Sequence, residues 1–273
     1  MTHYNDTSGL VNPSPDSPDG TGGSGARAGA EAFQLLPAID LRAGRVVRLR
    51  EGDATRETLY GDDPVAVALT FADAGATWLH VVDLDGAFSG RPVQTPIIDR
   101  IVAAVGDRIR CQVAGGLRTD AAVAIALASG AARVVVGTSA LRDPAFATTL
   151  VRRHGSERIV VALDVRDGLA LGEGWRTGGP GLPVLDALDR LADAGVSVFA
   201  ATAIARDGLL GGPDLELVSQ LVAARRGDIL ASGGVTNLTD LHAVRALGCR
   251  GAIVGRALYE GALDLREAVR AMA

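Results

Sequence analysis

Two glycine-rich turns after short apolar runs are the first feature of the sequence that points to chemistry. They read "QVAGGL" at residues 112–117 and "ILASGGV" at residues 229–235, and their glycine pairs lie 118 positions apart. Glycine lets backbone N–H groups approach a ligand closely, and the start of a following helix adds partial positive charge. Each turn is therefore typical of an anion site built from backbone, although a tight turn alone would explain either pair. The positions concerned are Gly115, Gly116, Gly137 and Thr138 in the first half, and Gly233, Gly234, Gly255 and Arg256 in the second.

Aspartates close to these turns are candidates for proton transfer. Asp40 ends the otherwise apolar run "QLLPAID", where a carboxylate is costly unless it is solvated or used. Asp207 lies among glycines in "TAIARDGLLGG", and Asp164 ends a run similar to that of Asp40. We interpret Asp83 as structural and Thr202 as a hydrogen-bond donor or a turn cap. The sequence thus predicts a site with acid and base carboxylates beside two anion cradles.

Short apolar runs alternating with segments of helical period must position these residues. Continuous apolar strands that alternate with helices indicate a parallel sheet covered by helices, and eight such units fit a closed (β/α)8 TIM barrel. An open doubly wound sheet is the alternative. In a barrel the carboxyl ends of the strands form the active site. The runs are 34–40, 78–83, 110–114, 133–137, 158–164, 197–202, 228–232 and 251–255.

The repeated glycines indicate that the barrel consists of two similar halves. Asp40 and Asp164 fall at equivalent strand ends, 124 positions apart. Two equivalent anion sites related by a pseudo-twofold axis suit a small-molecule substrate with a phosphate at each end. We expect the chain to act as a monomer on such a substrate.

Composition excludes several other functions. All 27 basic residues are arginine, so lysine Schiff-base chemistry is excluded. A net charge of −5 argues against nucleic acid and anionic membranes as partners. No apolar run approaches the roughly 18 residues of a membrane span, and no secretion signal is evident, so we expect a cytoplasmic location.

Histidines and cysteines show no metal-ligand spacing, and we expect neither a metal nor an organic cofactor. His80, Cys111 and Cys249 are interpreted as core residues. Residues 1–32 are rich in Ser, Pro, Gly and Asp and have no regular period, which predicts a disordered tail before a barrel domain at residues 33–273.

Several segments together resemble the phosphoribosylformimino-5-aminoimidazole carboxamide ribotide isomerase family of histidine biosynthesis. The likeness runs from about residue 35 to the end and is nearest to the actinobacterial form, phosphoribosyl isomerase A, which in many members also isomerises phosphoribosylanthranilate. The matching segments are "LLPAIDLRAGRVVRL", "VDLDGA", "AGGLR", "VVVGTSAL", "ARDGLLGGPDL", "ASGGV" and "AIVGRALYEG".

The resemblance implies an Amadori rearrangement of an aminoaldose to an aminoketose, with no metal or cofactor. It places the catalytic base on Asp40 and the acid on Asp207. It also implies substrate contacts from Arg48, Thr202 and Trp175, and Asp164 is expected to position substrate.

The sequence departs from the family pattern at two informative positions. Ala203 stands where an aspartate is usual, which removes a neighbouring acid. Glu173 stands where members with two substrates tend to have arginine, which predicts weak or absent phosphoribosylanthranilate isomerisation.

Two other functions stay open. The sister cyclase of the pathway would use Asp40 and Asp164, although its pattern includes a lysine that this chain lacks. A non-catalytic phosphate-binding barrel is the second alternative.

Overall fold

The computed structural model describes residues 32–172 and 181–273. Within them, eight parallel strands pair in a closed ring, in which each strand is hydrogen-bonded to its neighbours in chain order and the last pairs with the first. This confirms the predicted (β/α)8 barrel and excludes the open sheet. The barrel strands are β1 (Gln34–Arg42), β4 (Trp78–Asp83), β5 (Arg110–Ala114), β6 (Arg133–Val136), β7 (Ile159–Arg166), β10 (Val198–Ala203), β11 (Asp228–Ser232) and β12 (Gly251–Val254).

Four further strands form antiparallel extensions that sequence analysis did not predict. β2 (Arg45–Arg50) pairs with β1 and with β3 (Asp53–Gly61). β8 (Leu169–Leu171) pairs with β7 and with β9 (Leu182–Pro183). The extensions repeat between the halves: Asp40 faces Val47 on β2, and Asp164 faces Leu171 on β8.

Helices follow the barrel strands, and several begin at a side chain that accepts backbone N–H bonds. Asp63 accepts from the N–H groups of Val65 and Ala66 at the start of the first long helix, and Thr119 and Asp214 cap two others. The helices are α1 (Pro64–Asp73), α2 (Leu84–Ser89), α3 (Thr95–Val105), α4 (Asp120–Ala128), α5 (Thr138–Arg142), α6 (Pro144–His154), α7 (Val184–Asp193), α8 (Leu215–Ala223), α9 (Leu238–Ala246), α10 (Arg256–Tyr259) and α11 (Leu265–Met272).

Two apolar clusters hold the described part of the chain together. The larger lies between the outward faces of the strands and the helices. The smaller fills the barrel with side chains from all eight strands, among them Leu36, Trp78, Val160 and Leu230. Cys111 and Cys249 are buried and free, as predicted. The filled interior leaves the carboxyl end of the barrel as the place for a ligand.

In residues 32–172 and 181–273, no helix has the length and apolar character needed to cross a membrane. The predicted tail at residues 1–32 lies outside the described residues apart from its last position, so its disorder and the boundary at residue 33 stay predictions.

Candidate active site

A cavity of about 250 Å³ opens at the carboxyl ends of the barrel strands. It brings together most of the residues that the sequence singled out. The predicted residues that line it are Asp40, Arg48, Gly115, Gly116, Gly137, Thr138, Asp164, Thr202 and Asp207. Four others, Gly233, Gly234, Gly255 and Arg256, line a smaller adjoining recess together with Arg48 and Asp207, and Trp175 lies outside the described residues.

Asp40 forms an ion pair with Arg48 inside this cavity. Nη1 of Arg48 donates to Oδ2 of Asp40 at 2.6 Å, and both side chains are largely buried. Burial raises the pKa of Asp40, and the charge of Arg48 opposes that rise. Burial alone would lower the pKa of Arg48, but the carboxylates of Asp40 and Asp207 outweigh it and raise that pKa. The guanidinium therefore stays charged between the two carboxylates.

Asp207 has a different electrostatic environment. Its pKa is raised to about 6, mainly by burial; the charge of Arg48 opposes the rise, and the charges of Asp40 and Asp164 add to it. A carboxyl with this pKa is partly protonated near neutral pH and can donate a proton. Burial thus raises the pKa of both carboxyl groups, and Asp40 differs in forming the ion pair with Arg48.

The loop that carries Asp207 is held by contacts from distant parts of the chain. The N–H of Glu51, on the turn between β2 and β3, donates to the carbonyl oxygen of Asp207 at 3.2 Å. Nη1 of Arg256, at the start of α10, donates to the carbonyl oxygen of Gly208 at 2.6 Å. Arg48 lies on β2 and Glu51 lies on the turn that follows it, so the hairpin β2–β3 contacts both Asp40 and the loop of Asp207.

Asp83 is structural, as the sequence suggested. Its side chain is buried, and its two oxygens accept from the backbone N–H groups of Gly86 at 2.6 Å, Val93 at 2.6 Å and Gln94 at 2.8 Å. One carboxylate thereby ties both ends of the loop after β4 to the barrel.

The paired glycines serve the packing of neighbouring loops. Gly115 has φ +102°, and a Cβ there would lie 2.1 Å from the carbonyl oxygen of Asp83. Gly233 has φ +87°, and its Cβ would lie 2.8 Å from the carbonyl oxygen of Ala203. Side chains at these positions would therefore strain the backbone and push neighbouring loops apart. This gives the tight-turn explanation a physical basis. A substitution at either glycine would lower stability, so its effect on activity would not by itself test ligand binding.

Gly255 has a more direct relation to the site. A Cβ at Gly255 would lie 1.3 Å from Nη2 of Arg48, whereas one at the equivalent Gly137 would meet only the Cβ of Ala162 at 3.7 Å. The guanidinium of Arg48 therefore lies directly against the second glycine set while it binds Asp40.

His80 is buried as expected, but it also lines the cavity, which the sequence did not reveal. Its contacts reach Gln112 and, through it, Arg133 on two further strands. A polar residue within the apolar run of each of three consecutive barrel strands is the signal that could have identified this group, because the three residues pair in register.

Thr202 is buried and pairs in register with Asp164 on one side and Ser232 on the other. Trp175 and Glu173 lie outside the described residues, so the expectations placed on them are untested by the structure.

A (β/α)8 barrel whose carboxyl-end mouth holds three aspartates and a buried arginine defines an enzyme of the acid–base class. Residues 34–264 match the family described as "Histidine biosynthesis protein". The chain belongs to this family.

Curated relatives of the chain carry the name 1-(5-phosphoribosyl)-5-((5-phosphoribosylamino)methylideneamino)imidazole-4-carboxamide isomerase. The relative from Sphingopyxis alaskensis is 49% identical over 243 residues, which covers 88% of this chain and 98% of the relative. The one from Thermomicrobium roseum is 50% identical over 228 residues, covering 83% and 92%. A third, from Geobacillus thermodenitrificans, is 44% identical over 247 residues, covering 88% and 98%.

Proposed function

We infer that this chain catalyses the isomerisation named for its relatives, an Amadori rearrangement in histidine biosynthesis that converts an aminoaldose into an aminoketose. The relatives' names and the family membership support the activity. The observation in the molecule that carries the mechanism is the pairing of Asp40, which Arg48 holds by an ion pair, with Asp207, whose pKa is about 6.

Asp207 is the general acid in this mechanism. It protonates the ring oxygen of the ribose, the C1–O bond breaks, and the ring opens to an iminium ion. The raised pKa favours this role because a substantial fraction of the carboxyl keeps its proton near neutral pH.

Asp40 is the general base. It removes the proton from C2, the electron pair forms the enolamine, and tautomerisation gives the aminoketose. Arg48 assists because its charge opposes the effect of burial and favours the ionised carboxylate. Asp164 and Thr202 pair in register on neighbouring strands, line the same cavity as the two catalytic groups, and are proposed to bind the substrate sugar. Trp175 is proposed to stack on the aromatic part of the substrate.

We propose that the two glycine sets bind the two phosphates of the substrate. Support comes from their placement at opposite halves of the barrel mouth, with Gly137 and Thr138 lining the main cavity and Gly255 and Arg256 lining the recess. Nothing in this scheme requires a metal, a cofactor or a second protein, and we propose that the chain works as a monomer in the cytoplasm.

A finer assignment concerns the number of substrates. The motifs quoted above favour the phosphoribosyl isomerase A type, which we propose for this chain, with phosphoribosylanthranilate as a poor second substrate. Glu173 is the reason for the poor activity: like charges about 4 to 6 Å apart cost several kcal/mol at an effective dielectric of about 20. Assays with both substrates test this, and comparable kcat/KM values for the two would contradict it.

The main test is the substitution of the two catalytic aspartates. Asp40→Asn and Asp207→Asn should each lower kcat on the histidine-pathway substrate by at least about a hundredfold, because each removes an acid or a base. Asp164→Asn is the matched control and should be milder. Near-normal turnover by either of the first two variants would reject that residue's role, and an equal loss in the Asp164 variant would favour the cyclase alternative.

A further inference from the structure

Three buried polar side chains inside the barrel have no part in the reaction as written above. His80 on β4, Gln112 on β5 and Arg133 on β6 are 9%, 0% and 1% exposed. The guanidinium of Arg133 also stacks on the ring of Trp78, with its central carbon 3.8 Å from the ring centroid. A charged residue in the interior of a barrel is costly to bury, so this group calls for an explanation.

The donor and acceptor roles in the hydrogen bonds of this group are fixed, starting from Arg133. Nε of Arg133 can only donate, and it lies 2.5 Å from Oε1 of Gln112, which must accept. The amide nitrogen of Gln112 therefore faces His80 and lies 2.8 Å from its Nδ1. Because an amide nitrogen only donates, Nδ1 of His80 must accept, and a neutral ring must carry its proton on Nε2.

Burial and nearby positive charge keep the imidazole ring of His80 neutral. The charged residues on its own strand and on the elements around it are Asp83 on β4, Asp40 and Arg42 on β1, Arg45, Arg48 and Arg50 on β2, Arg110 on β5 and Arg133 on β6, and of these Arg48 and Arg133 act on the ring. The pKa of His80 is lowered to about 3, mainly by burial and in smaller part by the positive charges of Arg48 and Arg133. The imidazole is therefore uncharged near neutral pH.

His80 also lies at the right level of the barrel to meet a ligand. It pairs in register with Ala38, two residues before Asp40 on the same face of β1, and it lines the cavity that holds Asp40. A donor on Nε2 would thus lie beneath the proposed base.

We propose that Gln112 and Arg133 are positioning residues that hold His80 as the Nε2-protonated tautomer, so that His80 donates a hydrogen bond to an oxygen of the bound phosphoribosyl substrate. The substrate part rests on the proposed function, whereas the tautomer is a property of the free protein. The two parts are therefore tested by separate measurements.

The tautomer can be read from nitrogen-15 NMR of histidine-labelled, ligand-free protein, with the His80 signals assigned by their loss in His80→Asn. The chain has four histidines, so the spectrum is simple. We expect an unprotonated Nδ1 and a protonated Nε2 at neutral pH. In Gln112→Glu, a carboxylate would accept from both Arg133 and His80, and the proton should move to Nδ1 or the ring should become charged. A wild-type ring protonated on Nδ1 would overturn the proposal.

Kinetics test the contact with substrate. In Gln112→Glu, KM should rise about tenfold at the pH where His80 is neutral and protonated on Nδ1, and the rise should shrink at lower pH as Nε2 regains a proton. Gln112→Met, which has no charge, should not show this pH dependence. An unchanged KM in Gln112→Glu, at a pH where the nitrogen-15 spectrum shows a neutral ring protonated on Nδ1, would overturn the substrate contact; where the spectrum shows a charged ring, the His80 variants below decide.

A second pair of variants covers the case in which Gln112→Glu does not fold. Gln places its amide nitrogen near the position of Nε2, whereas Asn reaches only to the position of Nδ1. His80→Gln should therefore keep KM within a few-fold of the normal value while His80→Asn raises it about tenfold. Equal KM values for the two would overturn the proposed contact. Absence of turnover by the unmodified protein would reject the proposed function and the substrate contact with it, while the spectrum still decides the tautomer.

Discussion

The loops after β4 and after β10 occupy equivalent places in the two halves of the barrel, yet they are built differently. Both strands have six residues, and the last is Asp83 in one and Ala203 in the other. The two strand ends also have equivalent surroundings, because a Cβ on Gly115 would clash with the carbonyl oxygen of Asp83 and a Cβ on Gly233 would clash with that of Ala203. Asp83 binds three backbone N–H groups of its own loop, and Ala203 has no side chain that could do so.

The difference shows how the same barrel uses one carboxylate to stabilise a loop and places another in the candidate active site. In the first half the carboxylate at the strand end is used to fix the loop. In the second half the carboxylate lies four positions later, at Asp207, where it faces the cavity and two other acids. Its loop is fixed from outside by Glu51 and Arg256. A loop without its own anchor can place an acid where the ligand binds.

The strongest test of this comparison removes the anchor of the first loop. Asp83→Ala leaves three backbone N–H groups without their acceptor in a buried place, so we expect it to lower the free energy of unfolding by about 3 kcal/mol or more. Chemical denaturation measures the loss. Asp107→Ala, an exposed acid in the same half, is the control and should change stability by less than about 0.5 kcal/mol. Equal small effects of the two would show that the anchor does not carry the loop.

Asp207→Asn should have the opposite effect on stability. The folded-state pKa of about 6 lies above the usual value of 3.8, so the ionised carboxyl destabilises the fold as pH rises through 6. We therefore expect the Asn variant to be more stable than the unmodified protein by about 2 kcal/mol at pH 7.5, and the gain to vanish below about pH 4. Denaturation curves at both pH values provide the measurement. A variant less stable at pH 7.5 would contradict the burial of an ionised acid there.

The two glycine sets can be compared through Gly255 and Gly137. Gly255→Ala would displace Arg48 from its place between Asp40 and the recess, so KM should rise about tenfold and kcat should also fall. Gly137→Ala meets only Ala162 at contact distance and should be milder. Steady-state kinetics of the two proteins decide the matter, and a larger effect at Gly137 would show that Arg48 is not the sensitive contact.

The smallest effect is expected from Ala203→Asp, which gives the second loop the side chain found in the first. The added charge close to Asp207 should raise the pKa of that acid, because like charges disfavour ionisation. The fall of kcat on the alkaline side should then move to higher pH, with the maximum kcat changed by less than about threefold. The pH dependence of kcat measures the shift, and a shift to lower pH would argue against proximity of the two carboxyl groups.

Sequence analysis predicted the barrel strands well because buried parallel strands are continuous apolar runs. The eight predicted runs match the eight strands to within two residues at either end. The hairpin β2–β3 was missed because β3 has no buried residue and the buried residues of β2 do not alternate strictly with exposed ones. This matters for the site, because the hairpin carries Arg48 and its turn donates a hydrogen bond to the loop of Asp207.

Long-range contacts explain what the sequence could not predict about the site. Asp40 and Asp207 were singled out by their positions, but the pKa of Asp207 depends on its burial and on the charges of Arg48, Asp40 and Asp164, each more than 40 positions away. The contacts of His80 come from two other strands, and each contact is between residues that no local pattern connects. Asp83 was recognised as structural, although two of its three partners lie ten or more positions further on.

The pairing of β1 with β12 has a consequence for how the protein is made. Gln34 lies beside Gly251 in the ring of strands, and Arg48 lies against Gly255. The first barrel strand can therefore complete its pairing only after the last one has been synthesised. At about 5 to 20 residues per second, the ribosome needs ten seconds or more to supply the intervening segment. Until then the edges of β1 on one side and of the newest strand on the other are open to pairing with other chains. The active site is therefore among the last parts of the molecule to form, and a chain that stops before residue 251 can have neither a closed barrel nor a complete recess.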